Sequence, residues 1–206
     1  MTPDTLPLVA ILRGLTPETA EAVGAALFEA GFRIVEVPLN RPGALACIET
    51  LARSAPADAT IGGGTMLSVA DVDAVHAAGG RMMVAPNTDP AVIARAAALG
   101  MWSAPGIGTA SEAFTALRAG ANALKLFPAE VWGVKGLKAL RSVLPPGTPL
   151  WPVGGVTPES MADWVAAGAT GFGIGGQLYQ AGAAAAEVGA QARRFIAAWE
   201  RAAPSR

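Results

Sequence analysis

Glycines that follow a short apolar residue recur along the chain at Ala30-Gly31, Ala78-Gly79, Leu99-Gly100, Ala119-Gly120 and Ala167-Gly168, and they constrain the fold more than any other feature. Each closes an amphipathic stretch and precedes an apolar run, the position of glycine just past a helix C-terminus. Successive glycines are 48, 21, 20 and 48 residues apart. Each long gap conceals one more helix, ending in a proline-bearing turn: Ala55-Pro56-Ala57-Asp58 in the first, Leu144-Pro145-Pro146-Gly147 in the second. Thr16-Pro17-Glu18 and Thr157-Pro158-Glu159 read as helix starts, each with an N-cap, a proline at the first helical position and an early acid. Counted through, strands fall at 8–13, 33–39, 60–65, 81–86, 101–105, 123–127, 150–153 and 171–175, with seven helices between them and an eighth over 183–202. Eight strand–helix units in strict alternation predict an α/β chain with a parallel sheet, closed as a single (β/α)8 TIM barrel over residues 1–206. A doubly wound open sheet also alternates and is the competing arrangement. At 206 residues the chain is shorter than the ~250 typical of the barrel, which leaves no room for a second domain.

Composition narrows the function. With 52% hydrophobic and 15% charged residues the chain has the makings of a large core and none of the signature of disorder. A formal net charge of −1 offers no basic footprint, so no nucleic acid partner is expected. No basic segment precedes the apolar residues from Leu6 on, and no apolar run approaches the ~18 residues of a membrane span. The expected setting is therefore cytoplasmic, with no membrane contact. The single histidine, His76, and single cysteine, Cys47, both fall in helical patterns and cannot build a zinc site, and no acidic cluster suggests Mg²⁺. An enzyme here is expected to work without metal or cofactor, and Cys47 reads as packing.

Barrel active sites lie at the carboxyl ends of the strands. Those ends carry Arg13, Glu36, Asn40, Thr65, Asn87, Lys125, Gly154-Gly155 and Gly175-Gly176, which include nearly all the polar residues that interrupt apolar strands. Lys125 sits in the apolar run Ala123-Leu124-Lys125-Leu126-Phe127-Pro128. Strand alternation points it away from Leu124 and Leu126. A buried lysine loses its proton more readily than the ~10.4 reference, and the free amine can attack a carbonyl. Glu36 breaks Ile34-Val35-Glu36-Val37 in the same way and supplies a carboxylate. A buried ion pair with no chemistry is the alternative for these two, although desolvation offsets most of what such a pair gains. Paired glycines after strands seven and eight allow close backbone approach and bare amides for a phosphate, with tight helix–strand packing as the alternative. Gly62-Gly63-Gly64 read as making room inside a narrow barrel, and Thr65 after them offers a hydroxyl at the rim. Arg13 suits a carboxylate or phosphate, or else a salt bridge. Trp164 and Trp199 fall at helical spacing, and Trp132 is expected in the loop after the sixth strand.

The motifs Glu36-Val37-Pro38-Leu39-Asn40, Gly62-Gly63-Gly64-Thr65, Ala104-Pro105-Gly106, Lys125-Leu126-Phe127-Pro128-Ala129-Glu130, Gly154-Gly155-Val156-Thr157-Pro158 and Gly173-Ile174-Gly175-Gly176 together resemble the pyruvate-dependent class I aldolases of 2-keto-3-deoxy-6-phosphosugar acids. The resemblance runs from Leu8 to the final helix. It implies Lys125 as the Schiff-base lysine and Glu36 as the acid/base. It also implies that Arg13 and Thr65 bind substrate, Thr65 at the carboxylate end, and that the amides of Gly154, Gly155, Gly175 and Gly176 hold the phosphate of a phosphorylated 2-keto acid. Asn40 and Val153 stand where the gluconate-type enzymes have arginine and threonine, which resembles the galactonate branch. Gly176 stands where the family usually has serine, leaving amide contacts without a hydroxyl. The family resemblance implies a homotrimer. Metal-dependent phosphosugar barrels and a non-catalytic phosphosugar sensor are the competing functions.

Overall fold

The computed structural model describes residues 5–203. Nine short strands alternate with eight helices: β1 (Leu8–Ile11), α1 (Pro17–Ala30), β2 (Ile34–Pro38), α2 (Ala44–Ser54), β3 (Thr60–Gly64), α3 (Val69–Ala77), β4 (Met82–Val84), α4 (Pro90–Ala98), β5 (Trp102–Ala104), β6 (Gly106–Ile107), α5 (Ala110–Arg118), β7 (Leu124–Leu126), α6 (Ala129–Arg141), β8 (Leu150–Pro152), α7 (Met161–Ala166), β9 (Phe172–Ile174) and α8 (Ala185–Ala202). The ninth strand arises because Pro105, which has no N–H to donate, divides the expected fifth strand into β5 and β6. Six strands pair in the order β5-β4-β3-β2-β1-β9 and three in the order β6-β7-β8, every pairing parallel.

The strands curl into a half-barrel, and their alternation divides the apolar residues into two layers. Leu8, Ala10, Val35, Val37, Met83, Leu124, Leu126, Leu150, Phe172 and Ile174 belong to the outer core, shared with the helices. Val9, Ile11, Ile34, Met82, Val84, Ala104, Ala123, Trp151 and Val153 form a separate inner cluster with no helix residue in it. Period-2 geometry then puts Glu36 with Ile34, and Lys125 with Ala123, on the inner face. Trp102 and Trp151 stack there with ring centroids 4.8 Å apart. On the outside, α1 buries Val23, Leu27 and Phe28, and Leu51 of α2 fills the notch left by Gly24. At α8, Trp199 meets Phe172 edge-on at 6.0 Å.

The glycines at 31, 79, 100, 120 and 168 all adopt positive φ, from 67° to 109°, as expected for chain reversal after a helix. Thr16 does precede α1 with Pro17 at its first position, although no side-chain cap bond forms. The second expected start differs. Thr157 and Ser160 exchange bonds in a turn (Thr157 N to Ser160 Oγ 3.0 Å; Ser160 N to Thr157 Oγ1 3.3 Å), and α7 begins only at Met161. A hydroxyl three residues on captures the threonine before the helix can. The last helix begins at Ala185 rather than 183. Trp132 lies within α6, not in a loop, beside the kink where Gly133 adopts φ 63°. Among the described residues no helix is long and apolar enough to cross a membrane.

Candidate active site

Glu36 and Lys125 project from β2 and β7 into the inner layer and are 1% and 8% exposed. Neither takes part in an ion pair among the described residues. Glu36 Oε2 is buried with no hydrogen-bond partner among the described residues. Such an oxygen costs free energy unless something else occupies it during function. Burial raises the Glu36 pKa, opposed by the nearby charges of Lys125 and then Arg13. Burial likewise lowers the Lys125 pKa; Glu36 opposes this and Arg13 adds to it. Both shifts move the pair toward a neutral amine and a protonated acid, the forms needed to attack a carbonyl and to donate a proton. The electrostatic reach of Arg13 to both groups places its charge at this end of the site.

Gly64 explains how a carboxylate fits there. A methyl group at Gly64 would overlap Glu36 Oε2, so the acid's position depends on the missing side chain. At Gly62 a methyl would strike the backbone of Met82, and at Gly63 it would strike Val75 and Met66. These glycines therefore make room, one of them for the acid itself. Thr65 follows them, half-buried, with φ 55°, a rare conformation for a β-branched residue. Such strain concentrates where a side chain must be aimed.

A cleft of about 860 Å³ is lined by Ile11, Phe127 and Val153 among others. Arg13, Val153, Gly154, Gly155, Gly175 and Gly176 all line it, so the structure brings six of the expected site residues to one wall. Lys125 and Glu36 do not line it themselves; Phe127 does, and its ring stands 4.9 Å from Lys125 Nζ. Thr65 and Asn40 are not among the lining residues, and Asn40 is exposed in the turn after β2. Gly154 and Gly155 have φ of 111° and 66°. Sequence reasoning missed Phe127, whose signal is its period-2 relation to Lys125, and also Arg41, Glu130 and Tyr179 on the cleft wall. The salt bridge considered for Arg13 does not form; its side chain is exposed and unpaired among the described residues. Cys47 is buried on α2 with its thiol on the Leu15 carbonyl at 3.4 Å, away from this chemistry. No group of three or more His, Cys, Asp or Glu side chains suited to a metal ion occurs among the described residues.

A protein-family model described as KDPG and KHG aldolase matches residues 3–192. The chain is 47% identical over 194 residues to the probable 2-dehydro-3-deoxy-6-phosphogalactonate aldolase of Rhizobium meliloti (strain 1021), covering 94% of this chain and 92% of that protein. It is 46% identical over 197 residues to the 2-dehydro-3-deoxy-6-phosphogalactonate aldolase of Escherichia coli (strain K12), covering 96% of each. Among solved structures, one described as native KDPGal superposes with a TM-score of 0.95 at 45% identity, over 98% of this chain and 97% of that one. A cube-shaped protein cage designed by fusing symmetric oligomeric domains matches with a TM-score of 0.93 at 46% identity, over 96% of this chain and 73% of that one.

Proposed function

The chain belongs to the KDPG and KHG aldolase family, and from that premise we propose that it is a class I aldolase cleaving 2-dehydro-3-deoxy-6-phosphogalactonate to pyruvate and glyceraldehyde 3-phosphate. The observation that carries this reading is the buried Lys125 amine on the inner face, sharing its electrostatic environment with the unpartnered Glu36 carboxyl. The galactonate assignment draws on the names of the relatives and on Val153 at the cleft wall.

In the proposed mechanism the neutral Lys125 amine attacks the C2 ketone to form a carbinolamine. Glu36 donates a proton to the departing hydroxyl, water leaves, and an iminium remains as the electron sink. The Glu36 carboxylate then takes the C4 hydroxyl proton. The C3–C4 pair moves to C3, the aldehyde departs and an enamine is left on Lys125. Protonation at C3 and addition of water to the resulting iminium release pyruvate and restore the amine. Phe127, 4.9 Å from the nitrogen, keeps water from the amine and offers its ring face to the cationic intermediate. Arg13 and Thr65 bind the substrate, Thr65 at its carboxylate, and the amides of Gly154, Gly155, Gly175 and Gly176 face its phosphate. Asn40 acts from the rim at most, since it is absent from the cleft wall.

The same proposal treats the whole chain as one domain and the half-barrel as a closed (β/α)8 barrel. Supporting closure, a bridge between Val153 and Gly173 links the two sheets on one side. On the other, Asn122 N and Ala123 N donate to Ser103 O at 3.1 Å, and Lys125 N donates to Pro105 O at 2.9 Å. A homotrimer is the proposed assembly, supported by the oligomeric domains named in the cage structure and by the exposed Leu67, Val131 and Val143. The deciding experiment compares pyruvate release from the galactonate and gluconate epimers as kcat/KM with EDTA present. A galactonate preference supports the reading. Equal turnover refutes the galactonate assignment, and absence of pyruvate from both refutes the aldolase.

A further inference from the structure

We propose that Arg41, in the turn between β2 and α2, is the cation that grips the substrate's phosphate; this rests on the aldolase reading above for the identity of the ligand. Among the described residues lining the cleft, Arg13 and Arg41 are the two cations and Glu130 is the carboxylate. The three are not equivalent. Arg13 acts electrostatically on Glu36 and Lys125, so its charge serves the reacting end. Arg41 has no ion pair and no hydrogen bond among the described residues, is exposed, and has all its donors available to a bound anion.

Glu130 creates the need for that cation. Its carboxylate lies against the glycine loop after β8. A methyl at Gly155 would come within 2.9 Å of Glu130 Oε2, and one at Gly154 within 3.2 Å of the same oxygen. A phosphate seated on these amides therefore has a like charge as its neighbour, and the two repel. At Gly176 no hydroxyl compensates. The remaining unpaired positive charge on the wall is Arg41. A guanidinium forms two parallel bonds to phosphate oxygens, which suits the role.

The local chain explains why the cation comes from position 41. Asn40 ends the tight turn after β2 and is absent from the cleft wall, whereas Arg41 and Pro42 both line it. Pro42 disfavours the helical region for the residue before it, and Arg41 lies in the bend and turn that lead into α2 at Ala44.

The test is calorimetric titration of the full-length enzyme with sn-glycerol 3-phosphate at low and physiological ionic strength. Arg41→Gln is expected to weaken binding about tenfold at low salt, and Arg41→Lys to restore most of it as a point charge. Glu130→Gln is expected to tighten binding several-fold, and Arg53→Gln, an exposed charge change on α2, to leave it within about twofold. In turnover, Arg41→Gln should raise KM for the phosphorylated acid by the same factor with kcat little changed, and leave an unphosphorylated acid unaffected. Binding by Arg41→Gln within twofold of wild type, or no binding of glycerol 3-phosphate by wild type, overturns the assignment. Equal losses on phosphorylated and unphosphorylated acids overturn it too. A wild type that binds glycerol 3-phosphate through Arg41 yet releases no pyruvate leaves the assignment standing and refutes the aldolase reading instead.

Discussion

Gly64→Ala is a one-carbon change that should disable the acid without touching it. The methyl group would be built where Glu36 Oε2 now lies, and Glu36 is 1% exposed, so the carboxyl has no solvent to swing into. The backbone at Gly64 lies outside the left-handed region, and alanine is strained there only by this contact. Overpacking of this kind costs about 1–3 kcal/mol of stability. The loss in rate is larger. A displacement of about 1 Å in a reacting group costs roughly 10²-fold, and complete loss of acid–base help costs about 10²–10⁴-fold. We expect kcat to fall by at least about 10² with the fold retained. The decisive form is a double-mutant cycle against Glu36→Ala, measured by pyruvate release and by thermal unfolding. With the carboxyl gone, the alanine at 64 has nothing to strike, so both the rate effect and the stability cost of Gly64→Ala should vanish in that background. Additive effects in the cycle would refute the reasoning, because they would mean that Gly64 acts through something other than Glu36.

Two further predictions concern buried polar atoms. Because burial raises the Glu36 pKa, the folded protein holds a proton that the unfolded chain releases above about 4.3. The associated stability is fully present below that value and is lost as pH rises through the raised folded value. Glu36→Gln should therefore flatten this part of a urea-melt stability profile, and an unchanged slope would contradict the shift. Trp151 Nε1 is a buried donor with no partner among the described residues, so Trp151→Phe removes an unmet cost and keeps a ring against Trp102. Its unfolding free energy from urea melts should stay level or rise; a fall of more than about 1 kcal/mol would show that the indole N–H has a role.

Much of this arrangement was legible before any coordinates. The helix-ending glycines at 31, 79, 100, 120 and 168 were readable because positive φ is a local demand that few other residues meet. Lys125 and Glu36 stood out because charge on an inward strand position is expensive and seldom accidental. What stayed hidden depends on the directions of side chains in turns. Asn40 and Arg41 are adjacent, and only the path of the turn into Pro42 puts one on the cleft wall and the other off it. Glu130 is a first-turn acid of α6, and what gives it a place at the site, its contact with Gly154-Gly155, joins segments far apart in sequence. At Thr157-Pro158, the competing hydroxyl of Ser160 decided between a cap and a turn, a contest that a motif of threonine, proline and acid does not record.

The central claim is that Lys125 forms a Schiff base with the keto acid, and reduction in place tests it most directly. Treating the enzyme with pyruvate and borohydride should add one reduced pyruvyl group, located by peptide mass mapping on Lys125, with Lys125→Ala unmodified and inactive. An unmodified wild-type protein, or an adduct on Lys135 or Lys138 in place of Lys125, would contradict the account.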